Sequence, residues 1–401
     1  MRIAILSNPN FTTTVGYGTL TKQLCRRLKE FHDLCIIANY GLHGGVIKHE
    51  GVPIYPAGLA GFNESLILQH AQHFKADVIL SIYDMYALNL FPQQMIYEKK
   101  IKWLAYSPLD TDEPNEKYIN DLKGAYHIIP MSKHAEQFDK YYPKTTIEEI
   151  PVGVDTKIYK PMQDIPSIKK NLGFEEDCFL VLFAGDSRWY RKNVAENLEG
   201  FKIFAEENPD AKARIYIHSI VHAQDGSSYD IQNLIRKMGL DDVARCTEPY
   251  SFEIGGLSDE DMSKIYNAAD CFIHCSAGEG AGMMPLEANA CGTPAIYSEF
   301  SSQPEYSKGV TVYPTLERYT FSNTKQVIPH PDAIAMALKE VWQKGKAYYS
   351  EECMKNAKQY DWDIIINDYW LPYLKVVEDE LSKDCVEPRK KLEKSEVVTY
   401  E

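Results

Sequence analysis

The chain has 401 residues, 44% of them hydrophobic and 25% charged, with a formal net charge of −14. That length suits two domains better than one core, and the balance is that of a globular rather than a disordered protein. The acidic total argues against a broad nucleic-acid footprint, and no run of about 18 apolar residues is present to span a membrane.

Arg2 to Leu6 reads as a buried first strand, its apolar run too short for a signal peptide. The loop NPNFTTTVGYG follows, and a helix begins near Thr19 with Leu20, Leu24 and Leu28 on one face. Leu34 to Ala38 and Val52 to Tyr55 are strands, Leu66 to Phe74 is a helix, and Ala76 to Ser81, Trp103 to Ser107 and Ala125 to Pro130 are further strands. Strands this uniformly apolar, separated by helices, belong in a parallel sheet covered on both faces.

Ile150 to Pro161 changes the texture with glycine, prolines and lysines and reads as a linker in which Gly153 supports a turn, followed by a short helix in SIKKNLGF. The alternation then restarts. Phe179 to Gly185 is a strand, Asn193 to Glu207 a helix, Ala213 to Ser219 a strand, and Tyr229 to Met238 a helix before a weak strand at Val243 to Thr247. Ser258 caps an acidic helix start, and Cys271 to Cys275, Pro294 to Ser298 and Val310 to Tyr313 complete a second set of strands. From Asp332 the chain is mostly helical and ends in a charged segment. Nine cysteines without a CxxC pair read as packing residues in a reducing, cytoplasmic setting.

The expected organisation is α/β: two Rossmann-like, doubly wound domains facing a central cleft, with ligands beyond the carboxyl ends of the strands. Residues 1–160 form the first domain and 161–362 the second, and 363–401 pack back as a helical segment on the first.

The densest chemical signal is Ala277 to Ile296, AGEGAGMMPLEANACGTPAI. It follows an apolar strand and sets Pro285 in the first turn of a short helix. Free amides around Gly280, Ala281, Gly282, Met283 and Met284 suit an anion. Gly280 and Gly282 allow tight turns and close approach of a ligand. Glu279 in the loop and Glu287 in the helix's first turn flank that space, and carboxylates suit vicinal hydroxyls. A second signal, FAGDSRWYRKN, puts Arg188, Arg191 and Lys192 in the loop after the first strand of the second half. Such cations suit a diphosphate; Arg191 itself reads as a solvated neighbour. Gly16 and Gly18 lie in the loop after the first strand, but a dinucleotide fingerprint would need glycine where Thr21 stands. Asp110, in YSPLDTDEP, faces the expected cleft, either as a sugar or acceptor contact or as a loop cap. Ser132 to His134 reads as structural, and His274 as a strand residue beside Glu279. The histidines have no metal-ligand spacing, so no metal is expected.

The stretch with Glu279 and Glu287 resembles the E-x7-E element of the family-4 retaining glycosyltransferases, the glycosyl transferases group 1, and Ala288 to Ile296 is similar to the run that follows it there. The resemblance implies the GT-B fold and transfer of a sugar from a nucleoside diphosphate sugar to an acceptor hydroxyl, with retention. In that family the first acid contacts the transferred sugar and the second binds the donor ribose. It also implies that Arg188 and Lys192 grip the pyrophosphate in place of a metal, that Gly16 and Gly18 approach the donor phosphates, and that Asp110 stands near the histidine found in many members. This chain has Asp186 where the family carries its arginine. No cofactor beyond the donor, a UDP-, GDP- or ADP-sugar, is implied, and the acceptor is a glycan, a lipid or a small molecule. Peripheral membrane contact is compatible with this, and nucleic acid is not an expected partner. The rival readings are another GT-B sugar-nucleotide enzyme, such as an epimerase, and an inactive carbohydrate-binding protein.

Overall fold

A computed structural model of the protein describes residues 1–11, 16–57, 64–88, 90–185, 190–221, 229–253 and 257–384. The first half builds a sheet from β1 (Arg2–Ser7), β2 (Asp33–Ala38), β3 (Ile47–His49), β4 (Val52–Tyr55), β5 (Val78–Ile82), β6 (Lys102–Ser107) and β7 (His127–Pro130), in the order β3-β4-β2-β1-β5-β6-β7. Its pairs are parallel, with Leu6 opposite Ile37 on one side and Ser81 on the other, except for the antiparallel β3–β4 edge. Ile3, Ile5, Ile36, Val78 and Leu80 are all but inaccessible. That is why the strands read as continuous apolar runs rather than alternating ones.

The second half repeats the plan with β8 (Leu180–Ala184), β9 (Arg214–His218), β10 (Ala244–Cys246), β11 (Cys271–His274), β12 (Ala295–Ser298) and β13 (Gly309–Val312), ordered β10-β9-β8-β11-β12-β13 and all parallel. In each sheet the winding reverses beside the first strand, between β1 and β5 and between β8 and β11. Loops leaving the carboxyl ends of those strands diverge there and leave a crevice. The α/β architecture with two parallel sheets is as expected.

Three details differ from the sequence reading. The first helix spans Gly16–Leu28, so Gly16 and Gly18 lie in its first turn rather than in the preceding loop. The strand at Ile47–His49 and an antiparallel hairpin, β14 (Leu316–Tyr319) with β15 (Lys325–Ile328), were not expected. Both are short and largely polar, so neither shows a run of apolar residues. Gly153 has no left-handed φ; instead a Cβ there would lie 2.6 Å from the Trp362 indole. It is a close-approach glycine rather than a turn residue.

That contact marks where the chain crosses between halves twice. Val154 donates to the Tyr360 carbonyl at 2.8 Å and Trp362 donates back to the Val154 carbonyl at 3.0 Å. The returning chain then covers the first sheet. Trp370 is fully buried, edge-on to Tyr106 at 5.1 Å. Further along, the Tyr126 hydroxyl donates to Glu380 at 3.0 Å and the Met1 ammonium to Glu378 at 3.2 Å. One apolar cluster runs from Ile3 and Leu80 through Val152, Trp362 and Trp370 to Leu180 and Phe272, so the halves share a core as well as facing surfaces. Among the described residues, no helix is long and apolar enough to cross a membrane.

Candidate active site

The loops that leave β8 and β11 meet at the reversal of the second sheet. Asn193 starts the helix Val194–Glu207 in a left-handed conformation, and its amide donates to the Cys275 carbonyl at 3.2 Å. Arg191 and Lys192 immediately precede it. The Ala277 amide donates to the Arg191 carbonyl at 2.7 Å, stitching the two loops together. This backbone frame brings three charged side chains to one point. Lys192 Nζ lies 2.6 Å from Glu279 Oε1, and Arg191 Nη1 lies 2.7 Å from Glu279 Oε2 and 3.0 Å from the Gly278 carbonyl.

Lys192 and Glu279 are both nearly inaccessible, at 5% exposure each. A buried charge is tolerated only when paired and hydrogen-bonded, and here each oxygen of one carboxylate takes a different cation. Burial pushes the Glu279 carboxyl up, but Arg191 and Lys192 outweigh it and hold it well below the usual carboxylate range. His274, at the end of β11, sits 3.4 Å from Glu279 Oε1 without hydrogen-bond geometry. Burial and the adjacent Lys192 lower its pKa and keep it neutral.

Across the cleft, the loop after β6 carries Asp110. Its carboxylate is 3.7 Å from Arg191 Nε, so Arg191 bridges an acid of the first half and one of the second. Burial raises the Asp110 carboxyl to about 6, Arg191 pulls it down, and Asp84 and Glu279 push it up again. Sequence reasoning treated Arg191 as a surface neighbour and missed this role. The available signal was its position directly before Lys192 in a strand-to-helix loop. Arg188 lies outside the described residues.

The glycines of the 278–282 loop serve a purpose different from the one expected. A Cβ on Gly278 would run into the Asp110 carbonyl, one on Gly280 into Pro108, and one on Gly282 would lie 2.7 Å from Tyr306 Cβ. None has a left-handed φ. They are small because protein groups, two of them from the opposite half, pack against them, and not because a turn requires it.

Glu287 occupies the second turn of the helix Met283–Ala290 rather than its first, because the helix begins at Met283. No side chain caps that helix at Gly282, and the first amides of a helix have no partner within it. Gly16 faces this point from the first half, with Met283 Cε 3.3 Å from where its Cβ would stand. Glu287 itself accepts from the Tyr266 hydroxyl at 2.9 Å. Burial pushes its carboxyl up to about 8, against the Tyr266 hydrogen bond that lowers it. Nearby, Lys22 and Asp259 form a largely buried 2.7 Å ion pair between the halves.

Two more contacts across the cleft were not foreseen. Glu305 accepts from the Lys133 and His134 amides, both at 2.9 Å, so the Ser132–His134 turn is a docking point between halves. Asp112 and Lys325 exchange backbone contacts, with the Lys325 amide 2.6 Å from Asp112 Oδ1, which ties the β14–β15 hairpin to the loop of Asp110. Among the described residues, no group of three or more histidine, cysteine or acidic side chains is arranged to hold a metal.

Comparison with known proteins agrees with this picture. Residues 164–311 match the family model described as Glycosyl transferases group 1. The chain is 26% identical over 264 residues to the D-inositol 3-phosphate glycosyltransferase of Geodermatophilus obscurus, covering 60% of this chain and 56% of that one. It is 28% identical over 154 residues to the mannosylfructose-phosphate synthase of Agrobacterium fabrum, covering 37% and 32% respectively. The chain thus spans about half the length of the curated relatives it first matches. In fold it is similar to a sucrose-phosphate synthase from Thermosynechococcus elongatus, with a TM-score of 0.72 at 16% identity over 94% of this chain and 100% of that one. It is also similar to Anabaena HepE in complex with UDP and glucose, with a TM-score of 0.70 at 14% identity over 96% and 100%. Residues 164–311 are therefore a glycosyl transferases group 1 region, set in a chain of GT-B fold.

Proposed function

We propose that the protein is a retaining, metal-independent glycosyltransferase that moves a sugar from a nucleoside diphosphate sugar to an acceptor hydroxyl. The second half, about residues 161–362, holds the donor; the first, residues 1–160, holds the acceptor; and the segment from 363 braces the first. The observation that carries this reading is the buried cluster of Lys192, Arg191 and Glu279 at the reversal of the second sheet. The two cations that now hold one carboxylate are the groups that would pair with a departing diphosphate.

As the bond between the anomeric carbon and the diphosphate breaks, negative charge grows on the leaving oxygen. Lys192, Arg191 and the amides of Gly282 to Met284 stabilise that charge, with Arg188 as a further candidate. Glu279, freed in part from its cations, accepts hydroxyls of the transferred sugar. Glu287 accepts ribose hydroxyls, and Gly16 and Gly18 leave space for the phosphates and the acceptor. Close packing of Pro108 and Asp110 on the 278–282 loop excludes water from the reacting centre. HepE, in complex with UDP and glucose, supports a nucleotide-sugar donor. The eight unpaired cysteines among the described residues fit a reducing, cytoplasmic setting.

The test is incubation with UDP-, GDP- and ADP-glucose and a panel of acceptors, followed by product analysis at the anomeric carbon. Transfer with retained configuration, lost in Lys192→Gln, supports the reading. Inverted product, epimerised donor, or binding without turnover would favour its rivals.

A further inference from the structure

We infer, resting on the donor reading above, that His274 is a positioning residue: when a diphosphate draws Lys192 and Arg191 away, His274 takes a proton from solvent and holds Glu279 in their place. Glu279 then stays ionised and oriented while the cations serve the leaving group.

His274 ends β11 and is 3% exposed, yet its Nε2 has no hydrogen-bond partner among the described residues. That nitrogen lies 3.4 Å from Glu279 Oε1, the same oxygen that Lys192 Nζ reaches at 2.6 Å. Lysine and imidazole therefore compete for one oxygen, and in this structure the lysine has it. A buried ring nitrogen left unpaired is costly, and beside a carboxylate it has a second state, the imidazolium, that is not.

Among the described residues, Glu279 comes from the loop that follows β11, and Lys192 and Arg191 from the loop before the helix Val194–Glu207, with Asp110 beyond Arg191. β8, beside β11, is apolar throughout. On β12, the other neighbour, Tyr297 stands opposite His274, and its hydroxyl accepts from Thr311 at 2.9 Å. The helix Met283–Ala290 carries Glu287, bonded to Tyr266, and the Phe272 ring lies 5.2 Å from the imidazole. Burial, Lys192 and Arg191 disfavour a charge on the ring, and Glu279 favours one. A diphosphate that pairs with the two cations weakens their opposition, brings negative charge of its own and leaves Glu279 short of a partner. All three changes favour the imidazolium. Its new N–H donates to Oε1, so the buried carboxylate stays paired, with lone pairs left for sugar hydroxyls.

The test is NMR of the full chain labelled at its histidine rings, with the His274 signals identified by their loss in His274→Gln. The ring is read directly because donor affinity also follows the titration of Glu287. At pH 7 His274 should be neutral in the free protein and charged when UDP, GDP or ADP, whichever binds, is saturating, a rise of about tenfold or more in proton affinity. Lys192→Met, which frees Oε1 without any ligand, should raise that affinity too, and Lys192→Met with Glu279→Gln should not. If Lys192→Met does not fold, the wild-type titration decides. A ring already charged in the free protein, or one still neutral in the saturated complex, would overturn the inference. If no diphosphate binds, the donor reading fails and takes the trigger with it; a diphosphate that binds and leaves the ring neutral defeats the role of His274 alone.

Discussion

Lys192 and Glu279 form a 2.6 Å ion pair in which neither side chain is more than 7% exposed. Two loops distant in sequence come together to make it, and Arg191 closes the other oxygen of the same carboxylate. Removing one partner of such a pair leaves the other charge buried. Lys192→Gln should therefore cost on the order of 3 kcal/mol of stability and reduce turnover by about a hundredfold or more. Chemical denaturation and initial rates check this. The double variant Lys192→Gln with Glu279→Gln should recover stability but not activity.

Arg191 links Asp110 to Glu279, and its charge holds the Asp110 carboxyl down against burial. Replacing it with glutamine should raise the Asp110 pKa above about 6. If the ionised form of Asp110 serves the reaction, the acidic limb of the kcat/KM profile moves to higher pH in Arg191→Gln. An unshifted limb would remove Asp110 from the titrating groups.

Glu287 carries a carboxyl raised from 4.5 to about 8 by burial. Between those values the folded protein retains a proton that the unfolded chain releases, so stability falls as pH rises from about 5 to about 8. Glu287→Gln should flatten that slope, as thermal unfolding across the range would show. Donor affinity should run the opposite way, tightening as Glu287 ionises, and should weaken about tenfold in the glutamine variant if a hydrogen bond to ribose is lost.

Gly280 packs on Pro108 with no space for a Cβ. Gly280→Ala should force the halves apart at this point, costing about 1–3 kcal/mol and lowering turnover more than donor affinity. Small-angle scattering, with the radius of gyration as readout, and calorimetric titration of the donor nucleotide separate the two effects.

Much of this was legible from residues in a row. Uniformly apolar strands between helices gave both parallel sheets, and the segments after two strand ends pointed to Lys192 and Glu279, with Glu287 in the helix that follows, as candidates, because ligands in doubly wound sheets lie beyond strand ends. What escaped depends on contacts between segments far apart. Nothing in the 278–282 loop announces that Pro108 and Asp110 abut it, so its glycines read as ligand space. Arg191 reads as a surface cation until Asp110 and Glu279 are seen on either side of it. The hairpin at 316–328 is short and polar, with no periodic apolar run to mark it, and Glu305 reaches the 133–134 amides across some 170 residues.

The central claim is that Lys192 and its neighbours receive a nucleoside diphosphate. Calorimetric titration of UDP, GDP and ADP, each beside its nucleoside, into wild-type protein and Lys192→Gln tests it most directly. One diphosphate should bind wild type and weaken at least tenfold in the variant, while its nucleoside binds both alike. Equal diphosphate affinity in the two proteins would contradict the account.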